Sequence, residues 1–258
     1  MIDDQEEETV QTRYFKEYSP ALGREMECKV YGHAGRPLLF VPCQDGRFFS
    51  FEDYRMSDTL APWIESGQIM VTAIDTIDLE TWSDKNSDPY HRIRRHEAWM
   101  SYIFHEVAPF MQALSRESGC EDTGIIAFGC SLGATHAANL YFRRPDIFTG
   151  MMALSGIYSA SYGFDGYMDG VVYENSPVDY MANLPEDHYY IPMFNSQRAV
   201  ICVGLGPWEI PDTTFQLKHI LERKGIHTWV DVWGHDCEHD WPWWHKQVPY
   251  FMPWLLGQ

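Results

Sequence analysis

The sequence predicts an α/β protein in which a mostly parallel β-sheet is covered by helices on both faces. Short apolar runs alternate with helical patterns along the chain, and this alternation is typical of a parallel sheet. Several of the runs are continuously apolar, as expected for strands that are buried on both faces. A hydrophobic content of 45% is enough for a sizeable core. The length of 258 residues fits one large domain or two small ones, and since no linker or clear boundary is visible we expect a single domain spanning residues 1–258.

The individual elements follow from local patterns of apolar residues. Residues 9–18 and 25–31 predict an antiparallel pair joined by a turn. Apolar runs predict further strands at residues 37–42, 69–75, 124–128, 150–155, 199–204 and 227–233. Helical spacing or composition predicts helices at residues 91–115, 134–142, 213–224 and 241–256.

One stretch interrupts the alternation of strands and helices. Residues 158–197 are rich in Tyr, Asp, Gly, Met and Pro and lack sustained periodicity. Long irregular insertions in compact domains are usually functional, so we expect a cap. Its aromatic side chains either pack the cap onto the sheet or form the wall of a ligand pocket.

Composition excludes some classes of partner. The net charge of −18 argues against a nucleic-acid or anionic-membrane partner. The densest basic cluster, Arg92, Arg94 and Arg95, is expected on a solvated helix face. The sequence has no apolar run of about 18 residues, no signal-peptide pattern and no C-x-x-C pair among its six cysteines. We therefore expect a cytoplasmic protein with reduced thiols. Its oligomeric state is left open, with a homo-oligomer among the alternatives.

The most informative motif is Gly129-Cys130-Ser131-Leu132-Gly133, which matches the G-x-S-x-G pattern of a nucleophile elbow. A buried strand is predicted before it and a helix after it, as this turn requires. The two glycines have a mechanical reason, because side chains there would collide with the neighbouring strand and helix. Ser131 is therefore predicted to be a catalytic nucleophile.

A serine nucleophile needs a histidine base, which should follow the last strand. Two histidines compete there, His235 and His239. His239 is favoured because Asp240, a natural helix N-cap, follows it directly and Pro242 lies in the first helical turn. These residues place His239 on the loop just before the last helix, facing the strand ends where the serine lies.

The acid that orients the histidine should follow the preceding strand, where both Glu209 and Asp212 qualify. Asp212 has an alternative role as the N-cap of the next helix, so Glu209 is favoured. An oxyanion hole needs two backbone N–H groups. Leu132 supplies the first, and the loop after strand 37–42 supplies the second, at Gln44 or its alternative Asp45.

Four residues near these positions are predicted to contact the substrate. They are Asp45, Cys130, Tyr158 and Tyr162. The mechanism these groups imply transfers an acyl group through a covalent serine ester, and it requires no metal or organic cofactor.

With these residues placed, the chain resembles the putative-esterase branch of the α/β-hydrolases, which includes esterase D, feruloyl and acetyl-xylan esterases, enterochelin esterases and mycolyltransferases. The motifs that carry the likeness are Phe128-Gly129-Cys130-Ser131-Leu132-Gly133-Ala134, Leu154-Ser155-Gly156, Asn175-Ser176-Pro177-Val178 and His239-Asp240-Trp241-Pro242-Trp243-Trp244. The resemblance implies the α/β-hydrolase fold and hydrolysis of a small-molecule carboxylic ester through an acyl-enzyme. It also supports His239 as the base. If the aromatic side chains of residues 158–197 form the wall of the pocket, aryl or hydroxycinnamoyl esters are favoured.

The chain departs from this family at the acid. Many members carry an aspartate soon after a Gly-x-Gly at the strand end, whereas here Glu209 follows Pro207 and Trp208.

Three other functions stay open. The same triad can transfer an acyl group to another alcohol, or the fold can serve as a catalytically silent binding protein. His235-Asp236-Cys237-Glu238-His239 also spells a zinc-peptidase pattern, but that site needs both histidines on one helix face.

Overall fold

The computed structural model describes residues 10–258, so residue 9 of the first predicted strand lies outside it. One eight-stranded sheet organises these residues. Its strands are β1 Thr12–Ser19, β2 Arg24–Tyr31, β3 Arg36–Val41, β4 Ile69–Ile74, β5 Ile125–Cys130, β6 Phe148–Leu154, β7 Arg198–Val203 and β8 Trp229–Val232. Their order is β1-β2-β4-β3-β5-β6-β7-β8, with β2 antiparallel to both neighbours and all later pairs parallel. The predicted fold class is confirmed.

Ten α-helices connect or flank these strands in the described part of the chain. They are α1 Ser50–Asp53, α2 Met56–Glu65, α3 Pro89–Tyr102, α4 Ala108–Glu117, α5 Leu132–Arg143, α6 Gly170–Glu174, α7 Pro177–Ala182, α8 Tyr190–Ser196, α9 Asp212–Arg223 and α10 Trp241–Leu255. Short 3₁₀ turns lie at Asp78–Glu80 and Ala160–Tyr162. Within residues 10–258, no helix is both long enough and apolar enough to cross a membrane.

The central strands are buried on both faces, and successive side chains alternate between two cores. In β5, Ile125 and Ala127 face the core formed with α3, α4, α5 and α9, while Ile126 and Phe128 face the core formed with α1, α2 and α10. All four side chains have no exposed surface. Burying an Ile or Phe side chain contributes roughly 1.5–3 kcal/mol, so both layers stabilise the sheet strongly.

The predicted helix over residues 91–115 exists but is not uniform. A π-helical segment, Ile103–Val107, joins α3 to α4. Pro109 follows it in the first turn of α4. Proline lacks an N–H group and its ring collides with the carbonyl four residues earlier, so an inserted wide turn accommodates it without ending the helix.

The expectation of an irregular insertion at residues 158–197 is wrong in part. The insertion contains three short helices, α6, α7 and α8, of 5, 6 and 7 residues. Asp169 caps α6 by accepting hydrogen bonds from the N–H groups of Val171 and Val172. Helices this short present fewer than two full turns, which explains why no periodicity is visible in the sequence.

Arg92 corrects a second expectation, because its side chain is not on a solvated face. It is only 1% exposed. Its guanidinium donates to the carbonyl of Gly163 at 2.6 Å and to Asp165 Oδ2 at 2.9 Å. Arg94 binds Asp169 of the insertion at 2.9 Å. Arg92 and Arg94 therefore bind the insertion to α3 through hydrogen bonds and ion pairs, instead of forming a solvated basic surface.

Candidate active site

The turn between β5 and α5 is as sharp as the motif predicts. Ser131 has φ 57° and ψ −128°, a strained conformation for a residue with a side chain. A Cβ atom at Gly129 would lie 2.3 Å from the carbonyl carbon of Gly133, and one at Gly133 would lie 2.2 Å from the carbonyl oxygen of Val41. The two glycines let β5, α5 and β3 meet closely enough for the serine hydroxyl to stand clear of the sheet.

Ser131, His239 and Glu209 form one hydrogen-bonded chain. Ser131 Oγ lies 2.9 Å from His239 Nε2, and His239 Nδ1 lies 3.3 Å from Glu209 Oε2. His239 lies on the loop between β8 and α10, where its backbone N–H donates to the carbonyl of Pro207 at 3.0 Å. Its ring packs edge-on against Trp244 at 5.2 Å between ring centres. Each ring nitrogen therefore faces a different partner.

Glu209 is held by the ends of two neighbouring strands. Its Oε1 accepts a hydrogen bond from the hydroxyl of Ser155 at 2.7 Å and one from the N–H of Gly204 at 3.0 Å. The hydroxyl of Ser155 in turn accepts from Trp244 Nε1 at 3.0 Å. The glutamate side chain is only 1% exposed. This anchoring leaves Oε2 directed at the histidine.

Ser155 is a residue whose role sequence reasoning missed. It belongs to the Leu154-Ser155-Gly156 motif, which suggested a family likeness without suggesting a function. Its φ of +59° is also unusual for a residue with a side chain. The only sequence signal was a polar residue directly after a buried strand, at the same sheet edge as the elbow.

The competing candidates lie elsewhere. His235 is exposed, and its Nδ1 lies 3.3 Å from the carbonyl oxygen of Leu205. Asp212 is exposed as the first residue of α9. His235 and His239 occupy the loop between β8 and α10 rather than one helix, and they face different partners. The helix-borne pair that a zinc-peptidase site needs is therefore not formed.

The two proposed oxyanion donors come from the elbow itself and from the loop after β3. Leu132 opens α5, so its N–H is among the donors that the first helical turn leaves unpaired. Gln44 follows β3, and its N–H has no hydrogen-bond partner among residues 10–258. The N–H of Asp45 instead donates to Asp78 Oδ2 at 3.3 Å. This contact favours Gln44 over Asp45 as a free donor.

A cavity of about 160 Å³ adjoins both donors. Its lining residues are Gln44, Trp82, Lys85, Leu132, Ile157, Tyr162 and Gly163. Tyr162 was predicted to contact substrate, whereas Trp82 and Lys85 were missed because no motif surrounds them. This cavity is of interest for its position rather than its size, because a larger cavity of about 250 Å³ lies between β1, β2 and the π-helical segment, away from Ser131.

The other predicted substrate contacts need correction. Cys130 and Tyr158 are both 0% exposed, so their side chains cannot touch a substrate in this conformation. Cys130 points into the core beneath α10, and burial raises the pKa of its thiol well above the usual range. Burial also raises the pKa of Tyr158. Asp45 is exposed but lines a different cavity, and its carboxylate accepts from Ser83 Oγ at 2.6 Å.

A family model described as Putative esterase matches residues 19–254. The chain belongs to the putative esterase family. The resemblance drawn from the sequence motifs is therefore confirmed. Membership supports carboxylic ester hydrolysis as the class of reaction. No curated protein matches the chain by sequence.

Solved structures agree with this family at the level of the fold. A ferulic acid esterase is 18% identical, with a TM-score of 0.73 over 96% of this chain and 98% of the other. An S-formylglutathione hydrolase from Staphylococcus aureus is 14% identical, with a TM-score of 0.70 over 96% and 97%. A ferulic acid esterase from Anaeromyces mucronatus is 13% identical, with a TM-score of 0.71 over 98% and 93%. At these identities the likeness establishes the α/β-hydrolase fold alone.

Proposed function

We propose that this chain is a serine esterase that hydrolyses carboxylic esters through an acyl-enzyme. The observation that carries the proposal is the 2.9 Å contact between Ser131 Oγ and His239 Nε2. A proton can pass directly between groups at this distance. Leu132, the residue directly after the serine, lines the cavity of about 160 Å³.

The mechanism follows from the order of contacts. Glu209 accepts a hydrogen bond from Nδ1–H of His239 and so holds the tautomer whose Nε2 can take the serine proton. Ser131 Oγ then attacks the ester carbonyl, forming a C–O bond while His239 becomes protonated. The imidazolium returns its proton to the leaving alkoxide as the acyl-enzyme forms. A water activated by His239 attacks next, and the acid leaves as the proton returns to Ser131.

The negative charge that develops on the carbonyl oxygen needs fixed donors nearby. The N–H groups of Leu132 and Gln44 supply them in this proposal. The N–H group of Leu132 also lies at the positive end of the α5 helix dipole, which stabilises an anion. Each such donor is typically worth about 10²–10³ in turnover.

The walls of the 160 Å³ cavity favour an aryl acyl group such as hydroxycinnamoyl. Trp82 and Tyr162 offer aromatic surfaces, and Tyr162 is 52% exposed and free to contact a ligand. Lys85 closes one side, where its ammonium donates to the carbonyl of Gly163 at 2.6 Å. Aromatic pairs contribute about 0.5–1.5 kcal/mol beyond area burial, so they can distinguish aryl from short aliphatic acyl groups.

The direct test is labelling with a fluorophosphonate probe together with turnover of methyl ferulate and p-nitrophenyl acetate. We expect Ser131→Ala to lose both labelling and turnover, while Ser57→Ala, a partly exposed serine on α2, keeps both. Labelling that survives in Ser131→Ala would refute the proposal. Unlabelled, inactive wild-type protein would favour a silent binding protein, and formation of a new ester with an added alcohol as the main product would favour acyl transfer.

The cavity assignment has its own test. Tyr162→Ala should raise KM for methyl ferulate by about 2- to 12-fold, the range of one aromatic contact, and leave KM for p-nitrophenyl acetate unchanged. Tyr189→Ala is a matched control, because Tyr189 is also an exposed tyrosine of the insertion but does not line the cavity. Equal effects of the two variants would contradict an aryl pocket at Tyr162.

A further inference from the structure

A buried carboxyl–imidazole pair lies close to the elbow but outside the Ser131–His239–Glu209 chain. Asp78 Oδ1 and His136 Nε2 are 3.1 Å apart, and their side chains are 2% and 1% exposed. Asp78 opens the 3₁₀ turn after β4, whereas His136 lies in the second turn of α5, five residues after Ser131. Buried polar groups are costly unless they are paired, so a pair at this depth is expected to fix local geometry.

The second oxygen of Asp78 reaches the loop that carries Gln44. Asp78 Oδ2 accepts a hydrogen bond from the N–H of Asp45 at 3.3 Å. Asp45 has φ 61°, a left-handed conformation that costs free energy and needs support from its surroundings. Ser83 adds that support by donating to Asp45 Oδ1 at 2.6 Å and accepting from Gln44 Nε2 at 2.7 Å.

Asp78 therefore bridges the two halves of the oxyanion hole. One carboxyl oxygen contacts α5, whose first N–H belongs to Leu132, and the other contacts the loop whose N–H belongs to Gln44. We propose that Asp78 is a positioning residue that sets the spacing of these two donors, with His136 as its anchor on α5 and Ser83 as a second support for the loop. This inference rests on the proposed esterase function.

The surroundings of His136 restrict its movement. Its ring packs against Trp82, Trp99 and His96, with ring centres 5.6, 5.0 and 5.1 Å away. Trp82 also lines the cavity beside Gln44 and Leu132. An anchor clamped by three aromatic rings can hold Asp78 within the narrow tolerance of about 0.5 Å that a pre-organised site needs.

The experiment compares Asp78→Ala, Asp78→Asn and Ser83→Ala in the full chain. Asp78→Ala removes the acceptor of the Asp45 N–H, so kcat/KM for p-nitrophenyl acetate should fall by about 10- to 100-fold, the effect of a donor misplaced by about 1 Å. The inhibition constant of phenylboronic acid should rise in proportion, because its tetrahedral adduct with Ser131 uses the same two donors. In Asp78→Asn the amide oxygen still accepts from the Asp45 N–H, and the amide NH₂ group donates to Nε2 of His136 in its other tautomer, so activity should return to within about fivefold of wild type.

Glu97→Ala is the matched control, since Glu97 also joins α3 to α5 through an ion pair with Arg143, at 2.6 Å, but does not touch the oxyanion loop. It should lower thermal stability without changing the inhibition constant of phenylboronic acid. If Asp78→Ala does not fold, Ser83→Ala decides the question, with an expected loss of about 3- to 10-fold in kcat/KM.

Unchanged kcat/KM in a folded Asp78→Ala, or in Ser83→Ala when Asp78→Ala does not fold, would overturn the inference. An Asp78→Asn variant as weak as Asp78→Ala would also overturn it, because the acceptor oxygen would then not be the cause. These outcomes differ from failure of the esterase proposal, in which wild-type protein itself would neither bind the fluorophosphonate probe nor hydrolyse the ester.

Discussion

The identity of the acid is the most discriminating point of the proposed mechanism, because two carboxylates competed for the role. Glu209→Gln is the informative change, since it keeps the size of the side chain. The amide oxygen can still accept from Ser155 and Gly204, so the free energy of unfolding should change little. The amide NH₂ group then faces Nδ1 of His239 and favours the tautomer with the proton on Nε2. That tautomer cannot accept the proton of Ser131.

The size of the effect follows from this geometry. Imposing the wrong tautomer in a serine triad costs about 10⁴ in kcat. At 1.36 kcal/mol for each factor of ten, the transition state loses about 5.4 kcal/mol of stabilisation. Stopped-flow or steady-state hydrolysis of p-nitrophenyl acetate measures the loss, and thermal unfolding measures whether the fold survives.

Asp212→Asn supplies the matched control, because Asp212 is an exposed carboxylate only three residues further along the chain. We expect its kcat to stay within about twofold of wild type, as for most surface substitutions away from a site. Glu209 is not the acid if Glu209→Gln retains more than about a tenth of wild-type kcat, or if Asp212→Asn is the variant that loses activity.

Three further predictions concern the elbow and its surroundings. Gly129→Ala should lower the free energy of unfolding in urea by at least about 3 kcal/mol, since its Cβ would lie 2.3 Å from the carbonyl carbon of Gly133. Gly170→Ala is the control: a Cβ at Gly170 meets no atom within 4 Å, so the free energy of unfolding should change by under about 1 kcal/mol. Burial raises the pKa of the Cys43 thiol to about 12 and that of the Cys130 thiol well above its usual range. Mass spectrometry of native protein treated with iodoacetamide at pH 8 should therefore find neither cysteine modified. Rapid modification of Cys130 would contradict its burial. Burial, followed by the charge of the neighbouring His136 imidazole, lowers the pKa of His96 well below its usual value. Below about pH 6.5 the His96 imidazole therefore binds a proton in the unfolded state but not in the folded state. Stability should then fall by about 1.4 kcal/mol per pH unit on acidification, and His96→Gln should lessen that slope.

Much of the fold could be predicted because its signals are local. Strand β5 was expected at residues 124–128 and lies at Ile125–Cys130, and α9 was expected at 213–224 and lies at Asp212–Arg223. Continuous apolar runs and helix-ending glycines act within a few residues of the chain. Helix α2 was missed although Met56, Leu60 and Ile64 recur every fourth residue, because Pro62 interrupts the pattern.

The site was harder to predict where a side chain's direction depends on the whole sheet. Phe128 and Cys130 are two residues apart on β5, so they share the face beneath α10. That periodicity already argues against a substrate contact for Cys130, since only the next residue, Ser131, leaves the strand. No motif connected Trp82 or Asp78 with the site, because long-range packing alone brings them close to the elbow.

The loop that carries Glu209 accounts for a glutamate as the proposed acid, where the family resemblance implies an aspartate nearer the strand. Trp208 adopts φ 66°, which turns the chain back on itself directly before Glu209. The turn brings the glutamate side chain to Gly204, the first residue after β7, and to Ser155 at the end of β6. A glutamate side chain is longer than that of aspartate by one C–C bond, about 1.5 Å, and so spans the extra distance that the later position creates. The proposed acid is thus held at the ends of two neighbouring strands, through Gly204 and Ser155.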